Sequence, residues 1–146
     1  MCLTVFPGTS RMKAKTDLKV YKCLDYNRAV KKYATPFQFM RVEFDEEGKF
    51  KFEMDEAIFK SFKSEFQHRT FVDKGMHAYR VKNSADITAM KFYEHDGTAT
   101  HYAVIPKGSY YYVGVNNDIV ANQMIIFKSK KDFDKYAEEN EVKPVK

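Results

Sequence analysis

T-H-Y-A-V-I-P-K-G-S-Y-Y-Y-V-G, from Thr100 to Gly114, sets two apolar, β-prone runs on either side of a Pro-Lys-Gly corner. Branched and aromatic residues favour extended chain, and proline and glycine punctuate it. The stretch therefore predicts strands over 101–105 and 110–115, joined by a turn at Pro106-Lys107-Gly108. Strand alternation then puts Tyr110 and Tyr112 on one face, with Tyr111 on the other beside Ser109 and Val113. Three phenols, Lys107 and the bare Gly108 backbone within eight residues suit an anionic, ring-bearing ligand. They suit an ordinary strand–turn–strand corner equally well.

Downstream, Asn116-Asn117-Asp118 reads as a turn, and 119–127 as a last strand. Ser129 with Asp132 resembles a capping box for a terminal helix through about Asn140, held by Phe133, Tyr136 and Ala137. Upstream, 18–24 alternates as a strand. Val20 and Leu24 face the core on the parity of Leu18 and Lys22, and Lys19, Tyr21 and Cys23 take the other side. Lys22 breaks the apolar pattern and has to snorkel or meet a ligand. Met40, Val42 and Phe44, then Phe50, Phe52 and Met54, alternate with charged residues around Glu46-Glu47-Gly48, which predicts a β-hairpin. Ile58, Phe59, Phe62 and Phe66 fall at helical spacing after Asp55 and predict a helix to about Gln67. A strand follows Gly75, with His77 and Tyr79 on one face and Arg80 on the other. A second helix runs from Ala85 to about His95, closed by Asp96-Gly97. The order gives an α+β fold: a single domain over 1–146, mostly an antiparallel curved sheet with two or three helices packed on it.

The bulk composition agrees with one globular unit. The chain has 146 residues, of which 44% are hydrophobic and 16% aromatic, too apolar and too aromatic for a disordered chain. Cys2 and Cys23 have no metal-like spacing and fit a reducing cytosol. The basic residues follow the short apolar start instead of preceding it, which is the wrong order for a signal peptide. No apolar run approaches the roughly 20 residues that span a bilayer. A cytoplasmic protein without a membrane partner is expected. The net charge of +5 is uneven: up to Lys32 there are eight basic residues against two acidic ones, which leaves the remainder at −1. Such a field attracts phosphates, nucleic acid or acidic partners.

The four histidines pair at no metal-binding spacing, and no phosphate loop, dinucleotide fingerprint, nucleophile elbow or C-x-x-C motif is present. The expectation is therefore no catalytic residues, no metal and no cofactor. Tyr21, Lys22, His77, Tyr79, Lys107, Tyr110, Tyr111 and Tyr112 are the candidate ligand-binding residues. Exposed phenols and a late edge strand also suit a homodimer.

Three segments carry a resemblance: V-Y-K-C-L (Val20 to Leu24), G-M-H-A-Y (Gly75 to Tyr79) and A-V-I-P-K-G-S-Y-Y-Y-V-G (Ala103 to Gly114). In this order they resemble segments of small proteins of phages and gut bacteria, whose function the likeness does not supply. It implies a phage setting in the host cytoplasm. The order is also similar to that of ADP-ribosyltransferase-like folds, although Tyr112-Val113-Gly114-Val115 lacks their late glutamate. That likeness implies a nucleotide binder without transferase chemistry. The expected function is a non-catalytic protein that sequesters a nucleotide-derived anion as a phage counter-defence sponge. Two alternatives stand beside it. One is a nucleotide-processing enzyme, a degenerate ADP-ribosyltransferase or a phosphodiesterase using His77 or His101. The other is a nucleic-acid or host-protein interaction module working through the basic N-terminal region.

Overall fold

A computed structural model describes residues 3–5, 9–27, 29–35, 40–64, 69–72, 74–92 and 99–145. The described strands are β1 (Leu3–Val5), β2 (Met12–Lys13), β3 (Asp17–Asn27), β4 (Lys32–Ala34), β5 (Arg41–Val42), β6 (Lys49–Glu53) and β7 (Phe62–Ser64). They continue with β8 (Arg69–Val72), β9 (Met76–Tyr79), β10 (Ala99–Ile105), β11 (Tyr110–Val113), β12 (Asp118–Ala121), β13 (Gln123–Phe127) and β14 (Val142–Pro144). Two helices accompany them, α1 (Lys82–Phe92) and α2 (Lys130–Glu139).

The main sheet runs in the order β2-β11-β12-β9-β3-β10-β13-β6, open at both ends, and β1-β8-β7 form a separate small sheet. The described pairings are antiparallel except for β14, which lies parallel to β3. Long β3 is the spine. It pairs β10 from Leu18↔Ile105 to Leu24↔Ala99, and its other edge is shared along its length by β14, β9 and β4.

Alternation decides the layers. Leu18, Val20 and Leu24 join Met76, Ile105, Ile119 and Ile126 in the main core on one face. Three smaller clusters pack on the other face. Phe59, Val72, Tyr112 and Val120 meet beside the small sheet; Val104 and Phe127 pack against Phe133 of α2; Cys23 packs against Ala85 of α1.

The sheet content exceeds the expected α+β balance, and two predicted elements differ. The hairpin over residues 40–54 keeps its turn, with Gly48 at φ 73° and the Asp45 carboxylate accepting from the amides of Glu47 and Lys49. Its arms part, however: β5 pairs β4, and β6 pairs β13 along Gln123–Phe127. Alternation fixes which face is apolar, and Val42, Phe44, Phe50 and Phe52 do all belong to the main core. It does not fix the partner strand, and the apolar β13 offers β6 more surface than a two-residue arm.

The helix predicted from Asp55 is a single turn at Glu56–Ile58, followed by β7; its end at residues 65–68 lies outside the described residues. Phe59 is fully buried while Ile58 is 49% exposed, so the apolar stripe does not form one face. Helix α1 begins at Lys82, and the expected end near His95 lies outside the described residues. Ser129 caps α2 as the sequence suggests, accepting from the Asp132 amide while its hydroxyl donates to the Asp132 carboxylate.

Candidate functional site

The opening stretch folds as two strands that do not pair with each other. β10 lies between β3 and β13, and β11 between β2 and β12. The corner between them is tied to the N-terminal segment. The Lys107 amide donates to the Asp17 carboxylate at 2.7 Å, the Gly108 amide to the Ala14 carbonyl at 2.8 Å, and the Ala14 amide to the Ser109 carbonyl at 2.8 Å. Gly108 has φ 89°, the left-handed conformation that glycine adopts without strain. The corner amides are thus engaged by protein acceptors, and the Lys107 side chain points from an exposed turn.

The three consecutive tyrosines separate by parity. Tyr112 is buried against Phe59, with ring centroids 5.2 Å apart. Tyr110 lies under the Arg11 guanidinium at 4.3 Å, and Arg11 in turn donates to the carbonyls of Glu56 and Phe59. Tyr110 and Tyr112 therefore hold the chain together. Tyr111, on the opposite face, is half-buried and borders a groove of about 670 Å³. Burial raises its phenol above the ordinary value.

That groove is assembled from both ends of the chain. Lys13 and Lys15 come from β2 and the loop after it, and β14 brings Lys143 alongside them. Leu18, Tyr111 and Val145 supply apolar wall, with Thr16 as a further polar group. Pairing of β2 with β11 places Met12 opposite Tyr111, and the parallel pairing of β14 with β3 places Lys143 opposite Leu18. Pockets for small ligands are typically 300–1,000 Å³, largely apolar, with few polar groups that fix orientation. Lys15 and Lys143 border a phenol ring and an apolar wall, an arrangement suited to an anion that carries a ring; Lys143 pairs with Glu141 at 3.2 Å in an exposed contact, and the Lys13 ammonium turns to the Tyr110 ring at 5.8 Å.

The remaining candidates sit elsewhere. Lys22 points into the main core, 6% exposed, and its ammonium donates to the His77 carbonyl at 2.5 Å. Burial pulls its pKa down to about 8. His77 lies on the other face of the sheet, half-buried, with Nε2 unpartnered among the described residues. Burial, followed by the nearby Lys22 charge, lowers it to about 4. His101 is buried with Nδ1 2.9 Å from the Phe127 carbonyl. Tyr21 and Tyr79 stand directly opposite each other on β3 and β9. Of the eight predicted residues, the groove takes only Tyr111. Lys13 and Lys15 belonged to the basic N-terminal excess visible in the sequence. Lys143 and Val145 carried no signal, because a three-residue parallel strand has no periodicity to read.

No cluster of three or more metal-ligating side chains occurs among the described residues. No helix among them is long and apolar enough to cross a membrane. No family model matches the chain, and no curated protein or solved structure matches it either.

Proposed function

We propose that this protein binds and holds an anionic, ring-bearing small molecule of the nucleotide-derived kind in the groove between β2, β11 and β14, without transforming it. The observation that carries this reading is the placing of Lys15 and Lys143, from the two ends of the chain, beside the apolar wall that holds Tyr111. Lysines act there as point charges for phosphate, and the tyrosine offers its face or edge to a ring. Neither His77 nor His101 borders the groove, so an enzymatic reading has no geometric observation behind it. The likeness of Ala103 to Gly114 to phage proteins adds a setting, the removal of a host defence signal.

The test is calorimetric titration with adenosine diphosphate and a cyclic dinucleotide as probes, followed by chromatography of the recovered probe. Saturable binding of at least one, weakened at least tenfold by Lys15→Glu combined with Lys143→Glu, with the probe recovered unchanged, is the expected result. Binding that the double charge reversal leaves untouched, or a chemically altered probe, contradicts it.

A further inference from the structure

A second cleft, of about 190 Å³, lies where the start of β4, the segment just past β5 and the residue after β13 meet. One wall is aromatic. The Tyr33 ring meets Phe44 edge-on at 5.2 Å, and His101 backs both rings, 5.6 Å from Tyr33 and 6.0 Å from Phe44. Tyr26 packs on Tyr33 from another side at 4.7 Å. Rings locked together in this way give the cleft a fixed wall before any ligand arrives.

Three lysines line the rest: Lys31 in the turn between β3 and β4, Lys32 at the start of β4, and Lys128 directly after β13. All three are exposed. Lys31 and Lys128 meet no acid among the described residues. Glu43 is the acid on the wall of the cleft. It stands 4.0 Å from Lys32 and 3.5 Å from Arg41, so Arg41 balances it and the charge of three lysines is left over. Exposed pairs are weak, so an anion can compete for Lys32. Lys31 also holds φ 54°, a left-handed conformation that glycine adopts freely and lysine only against strain. The turn that imposes it is tied by the Asn27 side-chain oxygen, which accepts from the amides of Ala29 and Val30.

We propose that this cleft is a second anion site, and that it takes a compact, multiply charged anion of the phosphate class such as pyrophosphate. Lysines from two distant parts of the chain act there as point charges on the phosphate oxygens. Their uncompensated charge disfavours a neutral ligand and suits a polyanion over a single carboxylate. Size narrows the choice further. Sites that enclose drug-sized ligands run to roughly 300–1,000 Å³, so a cleft this small excludes a whole nucleotide and admits a bare diphosphate. The site is separate from the groove at β14, with which it shares no lining residue.

Calorimetric titration of the full chain with pyrophosphate tests this, run beside thermal unfolding of each variant. Saturable binding is expected, weakened at least tenfold in Lys31→Gly and likewise in Lys128→Glu. Glycine suits the left-handed turn, so Lys31→Gly should unfold at or above the temperature of the parent, and its loss of binding then reports the missing ammonium. Lys128→Glu keeps the test valid if the turn variant fails to fold. Lys15→Glu combined with Lys143→Glu removes more charge at the groove and should leave the affinity within about twofold. Absence of saturable binding by the unaltered protein overturns the proposal, as does binding that survives in both cleft variants. An equal loss in the groove variant also overturns it, by reducing the effect to net charge.

Discussion

Lys22 sits between Val20 and Leu24, both fully buried, and is itself buried in the main core. Its amine is lowered from 10.5 to about 8 by burial, so the fold favours the neutral form while the unfolded chain keeps its proton. Below about pH 8 this costs stability, at most roughly 3 kcal/mol, and the cost fades as pH rises from 8 to 10.5. Lys22→Met should therefore be more stable than the parent by about 1–3 kcal/mol at pH 7, with the gap closing toward pH 10. Urea unfolding at a series of pH values measures it, and a gap that stays constant contradicts the burial account. His77 works on the acid side. Lowered from 6.5 to about 4, chiefly by burial, it contributes stability that is present above pH 6.5 and lost as pH falls toward 4. In His77→Gln the thermal midpoint should fall less steeply over that window, with His101, lowered in the same direction, accounting for part of what remains. Sequence alternation correctly put Lys22 on the core parity. It left a ligand and burial as alternatives, because the length of a lysine stem does not show where the amine ends.

At the scale of the element, glycines separate strain from crowding. Gly75 has φ 114°, and a Cβ there would stand 2.9 Å from the Ala121 carbonyl oxygen and 2.7 Å from the Phe59 ring. Gly108 has φ 89° with open space around it. Gly75→Ala should cost about 2–4 kcal/mol and Gly108→Ala about 1 kcal/mol in chemical denaturation. Equal losses would mean that conformation alone decides at both. Ser129→Ala should remove about 1 kcal/mol through the lost α2 cap. Caps and turn glycines were legible because they act within a few residues. The parting of the 40–54 hairpin was not, since the competition was between distant β13 and a neighbouring arm. The false helix after Asp55 arose because Ile58, Phe59 and Phe62 match the i, i+3, i+4 helical spacing by chance in a run too short for periodicity to decide.

Across the whole molecule, the basic excess of the N-terminal region is used locally. Arg11 clamps Tyr110 and two carbonyls, the Lys13 ammonium leans on the same Tyr110 ring, Lys22 is interior, and Lys15 borders the groove. Charge counting found the field. It did not find the groove, which exists only because β14 returns to the start of β3. Tyr111 was recognisable as a candidate, but its neighbours Tyr110 and Tyr112 were not separable from it by residue type. Parity divided them, and burial chose between the faces. The central claim is that the groove retains an intact anion. Its most direct test is mass spectrometry of small molecules released by heat from the purified protein after incubation in nucleotide-rich lysate, run in parallel on Lys15→Glu combined with Lys143→Glu. The account predicts an intact, anionic, ring-bearing compound at close to one per chain from the unaltered protein and little from the variant. Nothing released from the unaltered protein, or equal amounts from both, would contradict it.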